Sequence, residues 1–331
     1  MRVLITGGGG FIGSHLAEGF LKRGDEVYAL DLAMTLKVRH LLDHPKFHYI
    51  KASVLDVDAL EAYTVRCDLI YHLAAVVGVE HYVDDPFNVL NVNVLGTLNA
   101  LKLAHRHEKR IVFSSTSEVY GRNPKVPWKE DDDRVLGSTK MDRWCYSTSK
   151  AVGEHYCWAY LRMGLPVTAT RYFNAYGPRL DKIDAGRVIT IFMGQLLRDE
   201  PITVIGDGKQ TRCFTYVRDT TQATIAAGIE PAAVGQAINI GNDRETTILE
   251  LAQTMNRIFK RDPNRITFVK QEAVYGTSYE DIPRRVPDIT KMRTILKVEP
   301  STTLEEGLRE TIDWFLQEER QIRGVSHSAV K

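Results

Sequence analysis

Short apolar, β-branched runs recur through the first half of the chain, each separated from the next by a stretch long enough for a helix. "RVLIT", "EVYALD", "FHYIKA", "DLIYHLAA", "RIVFSS" and "PVTATRYF" follow one another in this rhythm between residues 2 and 173. Neighbouring parallel strands need a crossover connection, and a helix supplies it. The alternation therefore predicts an α/β fold, a doubly wound parallel sheet with helices on both faces. After Asn174 the pattern changes: Pro178, Pro201 and the glycines of "VIGDGKQTRCF" cut the chain into shorter elements. "AINIG" (237–241) reads as one more strand that rejoins the sheet, and amphipathic helices follow in "TILELAQTMNRIF" and "TLEEGLRETIDWFLQ". The expected division is a sheet domain of residues 1–173 plus about 214–241, interleaved with a smaller domain of 174–213 and 242–331. The last ten residues read as a frayed tail.

Charge excludes several functions. Lys plus Arg number 43 against 42 Asp plus Glu in 331 residues, so no strong field draws in nucleic acid or an acidic membrane, and any anion must be held by placed donors. Cys67, Cys145, Cys157 and Cys213 show no paired spacing, which argues against a metal site or a disulfide framework. No window approaches the ~20 apolar residues of a membrane span, and "MRVLITGGGG" lacks the apolar region of a signal peptide. A cytoplasmic protein is expected. The stretches 84–107 and 145–163 read as the longest helices of the first half, with more apolar surface than one sheet face needs, so a homodimer through them is expected.

Gly7, Gly10 and Gly13 stand between the first strand and the first helix. Glycines there permit the tight turn and let the backbone approach a pyrophosphate, which sits among the unsatisfied N–H groups of the helix N-terminus. Asp31 ends the second strand 18 residues beyond Gly13, where an acid binds ribose hydroxyls. The fold is thus Rossmann-type. An acid at that place repels a 2′-phosphate, and the following "LAMT" offers no Arg, so NAD is expected rather than NADP.

Tyr146 and Lys150 lie i, i+4 on a predicted helix and share one face. Alone, such a pair is usually a solvated surface feature. Here it follows the fifth strand, whose end carries Thr116, Ser117 and Glu118 at the sheet edge where ligands bind. A tyrosine of pKa ≈ 10 needs a nearby cation to act as a base, and Lys150 together with the positive nicotinamide ring is placed to lower it. Thr116 or Ser117 is suited to hold a substrate hydroxyl or carbonyl. Glu118 is either chemically active or an acid that caps a helix or pairs with an Arg.

Together, the glycine pattern, "HLAA" (72–75), Asn93, "STSEVYG", Tyr146-x-x-x-Lys150, "RYFNAYGPR" (171–179) and "GDGKQTRCFTYVRD" (206–219) resemble the extended short-chain dehydrogenase/reductase family that remodels nucleotide sugars. Its members oxidise C4 of UDP-, dTDP- or GDP-sugars with tightly held NAD. Dehydratases of that family typically read Thr-Asp-Glu at the strand end. Thr116-Ser117-Glu118 is instead similar to UDP-glucuronic acid decarboxylases, and "GSTKMDRWCYSTSK" (137–150) and "YEDIPRRVPD" (279–288) resemble the aminoarabinose-pathway decarboxylase and apiose synthase.

The resemblance implies NAD contacts from Gly7, Gly10, Phe11, Ile12, Gly13, Asp31, Ser53, Val54, Leu73, Ala74, Ala75, Asn93, Tyr146 and Lys150. It implies nucleotide-sugar contacts from Asn174, Arg212 and Arg285, with Arg187 and Tyr82 as further candidates, and Arg179, Arg284 and His81 behind them. Two features depart from it. Ser53 stands where the family commonly has an Asp facing adenine, and "RYFN" is closer to epimerases. The function expected is NAD-dependent decarboxylation of UDP-glucuronic acid through a 4-keto sugar to a UDP-pentose. The alternatives are a UDP-sugar 4-epimerase and a non-catalytic NAD sensor or scaffold.

Overall fold

A computed structural model describes residues 1–270 and 282–328. The chain order is β1 (Arg2–Thr6), α1 (Phe11–Lys22), β2 (Glu26–Asp31), β3 (Phe47–Lys51), α2 (Val57–Thr64), β4 (Leu69–His72), α3 (Val79–Asp84), α4 (Pro86–Leu90), α5 (Gly96–Arg106), β5 (Arg110–Thr116), α6 (Arg143–Arg162) and β6 (Val167–Tyr172). There follow β7 (Ala175–Tyr176), α7 (Val188–Leu197), β8 (Ile202–Ile205), β9 (Thr211–Cys213), β10 (Thr215–Tyr216), α8 (Val217–Ile229), β11 (Ala237–Ile240), β12 (Glu245–Thr247), α9 (Ile248–Ile258), β13 (Ile266–Val269) and β14 (Arg284–Arg285). Helices Thr290–Thr294 and Leu304–Ser328 close the chain.

Seven strands form one parallel sheet in the order β11-β6-β5-β4-β1-β2-β3. Helices cover both faces, so these strands are buried on two sides, and β4 has no residue open to solvent. The order reverses between β1 and β4, which opens a crevice at their carboxyl ends. All seven strands expected from the apolar runs are present. On one face Phe20 of α1 packs with Tyr71, Ala223 and Ile238; on the other, Leu101 and Cys157 pack with Ile70 and Phe113. A second apolar core joins α7, β8, α9 and the last helix through Phe192, Val204, Leu251 and Leu308.

Two helix expectations need correction. The stretch 84–107 is not one helix: Pro86 cannot accept continuation from α3, so the chain breaks at Asp85, whose carboxylate takes the Asn88 N–H at 3.0 Å. A π-helical turn, Asn91–Leu95, then leads into α5. The expected frayed tail instead remains helical to Ser328.

Beside the crevice, β9 pairs in parallel with β14, setting Arg212 opposite Arg285 and Thr211 opposite Arg284. Alternate residues of a strand face opposite ways. Arg284 accordingly turns outward to Glu245 on β12, at 2.8 and 2.9 Å, while Arg285 turns inward.

Candidate active site

The loop after β1 is shaped by its glycines. Gly7 adopts φ +72°, and a Cβ there would meet the Ala74 nitrogen at 2.7 Å; one on Gly13 would meet the Gly7 oxygen at 2.2 Å. On Gly10, by contrast, a Cβ would approach nothing nearer than 3.1 Å, so the loop's outer side is open. Gly10 caps α1 without any side-chain bond to the first-turn N–H groups. Asp31 accepts the Gly9 N–H at 2.9 Å and the Leu32 N–H at 2.8 Å, which fixes it at the rim. Burial pushes its carboxyl up, with these two N–H groups and Lys37 opposing. Beside it the buried Tyr49 hydroxyl has no partner among the described residues, and burial followed by the Asp31 charge pushes that phenol up to about 12. A free helix N-terminus, an open glycine turn and a rim acid fit a dinucleotide. Gly13→Ala is therefore expected to lower NAD affinity by at least about tenfold, since the turn must move to admit the methyl group. Titration of NAD into the folded variant checks this, and unchanged affinity would contradict it.

Around the loop the remaining expected contacts divide. Leu73, Ala74 and Ala75 leave β4 next to Gly7, and the Ala74 N–H is bonded to Thr6 Oγ1 at 3.3 Å. Phe11 and Ile12 begin α1, with the Arg187 guanidinium 5.8 Å over the Phe11 ring. Val54 packs into the space left by Gly96. Ser53 accepts the Leu55 N–H at 3.1 Å and so folds onto its own loop. Asn93 is occupied by the chain itself: it accepts from Val76 N at 2.8 Å and donates to Val76 O at 3.2 Å and Ser149 Oγ at 3.1 Å. It fastens the post-β4 loop to α6.

At the end of β5, Thr116 Oγ1 accepts the Glu118 N–H at 3.2 Å and shares a hydrogen bond with the Tyr146 phenol. Ser117 is buried in the same turn. Tyr146 stacks on Tyr82 with centroids 4.9 Å apart and planes at 12°. Tyr82 thus backs one face of the phenol ring. Burial, then the Glu118 charge, holds Tyr146 above the ordinary phenol range, against the Thr116 bond and Arg187. The Lys150 ammonium donates to the Ser114 carbonyl at 2.8 Å, and burial pushes it down to about 7.

That value predicts a pH effect on the cofactor-free protein. Between about 7 and 10.5 the unfolded chain keeps the Lys150 proton and the folded chain does not, so stability rises with pH through that window. Below it the buried charge costs its full amount. Lys150→Met is expected to gain most in melting temperature, relative to the parent, at pH 7 and below, with the gap closing towards 10.5. A gap constant across that range would count against it.

Glu118 is not isolated. Its Oε1 pairs with Arg285 Nη1 at 2.7 Å and Arg143 Nη2 at 3.4 Å, and its buried Oε2 has no partner among the described residues. Burial alone would raise this carboxyl, yet Arg285, Arg143 and Arg212 outweigh it and hold it below the usual range. Arg143 was not foreseen, although its position three residues before Tyr146 on one helix put it on the same face. Asn174 sits at φ +29° with its buried Nδ2 lacking a partner among the described residues. Arg187 pairs with Asp181 at 3.1 Å. Arg179 does not reach the site: it is buried against Glu18 at 2.7 Å and His40 at 2.7 Å. Tyr279, Glu280 and Asp281 of "YEDIPRRVPD" lie outside the described residues. A concavity of about 1740 Å³ between α1, α8 and the last helix is lined by Arg179 but by none of Tyr146, Lys150, Thr116, Ser117, Glu118, Asn174, Arg212 and Arg285.

Fold and site together define an NAD-dependent enzyme, with Tyr146 and Lys150 on one helix beside the end of β5. The chain belongs to the NAD dependent epimerase/dehydratase family, whose profile matches residues 3–241. It is 41% identical over 315 residues to UDP-N-acetyl-alpha-D-glucosaminuronate decarboxylase of Bacillus cytotoxicus, covering 95% of this chain and 97% of that one. It is 38% identical to UDP-glucuronic acid decarboxylase 1 of Arabidopsis thaliana, covering 95% of this chain and 70% of the relative. Among solved structures, UDP-glucuronic acid 4-epimerase from Bacillus cereus, in complex with UDP-glucuronic acid and NAD, superposes with a TM-score of 0.85 at 30% identity, covering 96% and 99% of the two chains. This is an NAD-dependent nucleotide-sugar enzyme.

Proposed function

We propose that the chain decarboxylates a UDP-linked hexuronic acid, UDP-glucuronic acid or its 2-acetamido counterpart, through a C4 ketone to a UDP-pentose. The observation that carries this reading is the ionised Glu118 seated among Arg285, Arg143 and Arg212 beside the Tyr146 phenol. Gly7, Gly10, Gly13 and Asp31 would hold NAD, which would supply the hydride acceptor and donor for C4. Tyr146 takes the C4 hydroxyl proton, helped by the positive charges of Lys150 and Arg187. With C4 a ketone, the C6 carboxylate belongs to a β-keto acid, and its loss as carbon dioxide leaves an enolate whose charge falls on the C4 oxygen. A proton from solvent water at C5 restores the ketone, and Tyr146 returns its proton to the C4 oxygen as C4 is reduced. The Tyr146 and Thr116 hydroxyls are placed to donate to that oxygen.

Held ionised, Glu118 is a poor proton donor at neutral pH, so its part is at the carboxylate end. It neutralises Arg285 and Arg143, which would otherwise hold the substrate carboxylate in place. Asn174 and Arg212 take the diphosphate, and Arg is suited to bidentate phosphate bonding. The sheet domain carries NAD, and the smaller lobe carries the nucleotide sugar.

Incubation with UDP-glucuronic acid and with its 2-acetamido analogue, followed by mass spectrometry, tests the proposal. Loss of one carbon dioxide supports it, and turnover at unchanged mass to a stereoisomer replaces it with 4-epimerisation, the activity of the B. cereus neighbour. We also propose a homodimer through the helices of residues 84–107 and 145–163, beside which Val83 of α3, Phe87 and Leu90 of α4 and Leu95 are exposed, and sedimentation as a single chain would refute it. No helix among the described residues is long and apolar enough to cross a membrane. The four unpaired cysteines favour a cytoplasmic setting, which recovery of the native chain outside the cell would contradict.

A further inference from the structure

Beneath the site runs a buried polar network that touches neither the glycine cradle nor the cleft. Ser115, Arg171 and Asn239 stand in register on β5, β6 and β11. Glu154, one helical turn beyond Lys150 on α6, accepts Ser115 Oγ at 2.5 Å and Arg171 Nε at 2.9 Å through Oε1, and Arg171 Nη2 at 2.6 Å through Oε2. Arg171 Nη1 donates to the Tyr120 hydroxyl at 2.9 Å and the Glu130 carbonyl at 2.7 Å. The Tyr120 hydroxyl donates to Asn239 Oδ1 at 2.7 Å. Asn239 Nδ2 in turn donates to the carbonyls of Trp128 at 2.9 Å and Asp288 at 3.0 Å, and Trp128 N–H donates to the Val286 carbonyl at 2.8 Å.

The ends of this network adjoin the site at three points. Glu154 shares a helix with Tyr146; Tyr120 closes the short turn that carries Glu118; Val286 follows Arg285. Those three groups come from distant parts of the chain and meet across a joint between elements. A buried ion pair is weak support for stability, because desolvation offsets most of its attraction. Its better-attested use is to fix one arrangement among several.

We infer that Glu154 and Arg171 are positioning residues that hold Tyr146, Glu118 and Arg285 in one frame, so that removal of the C4 proton and loss of the carboxylate occur on the same bound sugar. The inference rests on the proposed site. Misplacement by 1 Å is enough to cost about 100-fold in rate.

The test uses the full chain with Glu154→Leu and Arg171→Met combined, which removes both charges together and leaves neither buried alone. The expected result is a melting temperature close to wild type and unchanged NAD affinity, with kcat lower by about 10–100-fold and KM within about threefold. In that background Glu118→Gln is expected to cost less than in wild type, because groups that share a frame are not additive. A folded variant with kcat within about twofold of wild type, or strictly additive costs, would overturn the inference. Should the double variant not fold, Tyr120→Phe and Ser115→Ala each remove one neutral bond. Each is expected to lower kcat several-fold at constant KM, and unchanged kcat in both overturns the inference. Failure of the functional reading is seen separately, in wild type releasing no carbon dioxide; the same kcat and KM split is then read on epimerisation.

Discussion

Tyr146→Phe is expected to reduce turnover by about 10²–10⁴-fold, the range for loss of a positioned proton-transfer group. The substitution removes one oxygen and keeps the ring that stacks on Tyr82, so the apolar contact of Tyr82, Val89 and Tyr146 persists. NAD should still bind, since the glycine cradle and Asp31 lie on other elements. Thr116 keeps its bond to the Glu118 N–H, so the turn carrying the acid is undisturbed. Single-turnover measurement of NADH formation, with NAD binding measured alongside, checks the result. Turnover within about tenfold of wild type would remove the phenol from the proton transfer.

The second large effect is expected at Glu118. Glu118→Gln keeps the shape and removes the charge that neutralises Arg285 and Arg143. A hexuronate carboxylate should then bind those two arginines more tightly and leave less readily. Carbon dioxide release is expected to fall by about 100-fold, with KM for the uronic acid equal to or below that of wild type, the pattern left when ground-state strain is removed. A neutral UDP-hexose should show no such tightening. Isotope release from a C6-labelled substrate, read with kcat and KM, decides it. Undiminished release would confine Glu118 to a structural ion pair, and a raised KM would show that it contacts the sugar directly.

Much of the fold was legible because strands buried on both faces read as continuous apolar runs, and the glycine loop has a local signature. Local chemistry was less legible where chain breaks intervene: Pro86 divides the helix expected over 84–107, and the cap by Asp85 shows only once the break is known. Tyr146, Lys150 and the strand-end trio were found from spacing and place along the sheet. What spacing could not give was the pairing of side chains brought together by folding. Glu118 meets Arg143 and Arg285, which lie 25 and 167 positions farther along the chain. Arg179 lies in the same nine-residue motif as Asn174, yet it bonds to Glu18 and His40 instead. The resemblance implies a cofactor contact for Asn93, and the bonds of its amide to Val76 and Ser149 are visible only in the folded chain. The ion pair of Glu154 and Arg171 joins residues only 17 apart, yet nothing in either stretch marks it as buried.

Arg212 and Arg285 sit abreast on β9 and β14, and two cations so placed repel. The carboxylate that lets them lie together comes from the tip of β5, in the main sheet. One acid thereby ties the small sheet of β12, β9 and β14 to the main sheet, and without it two adjacent guanidiniums would lose the counter-charge they share.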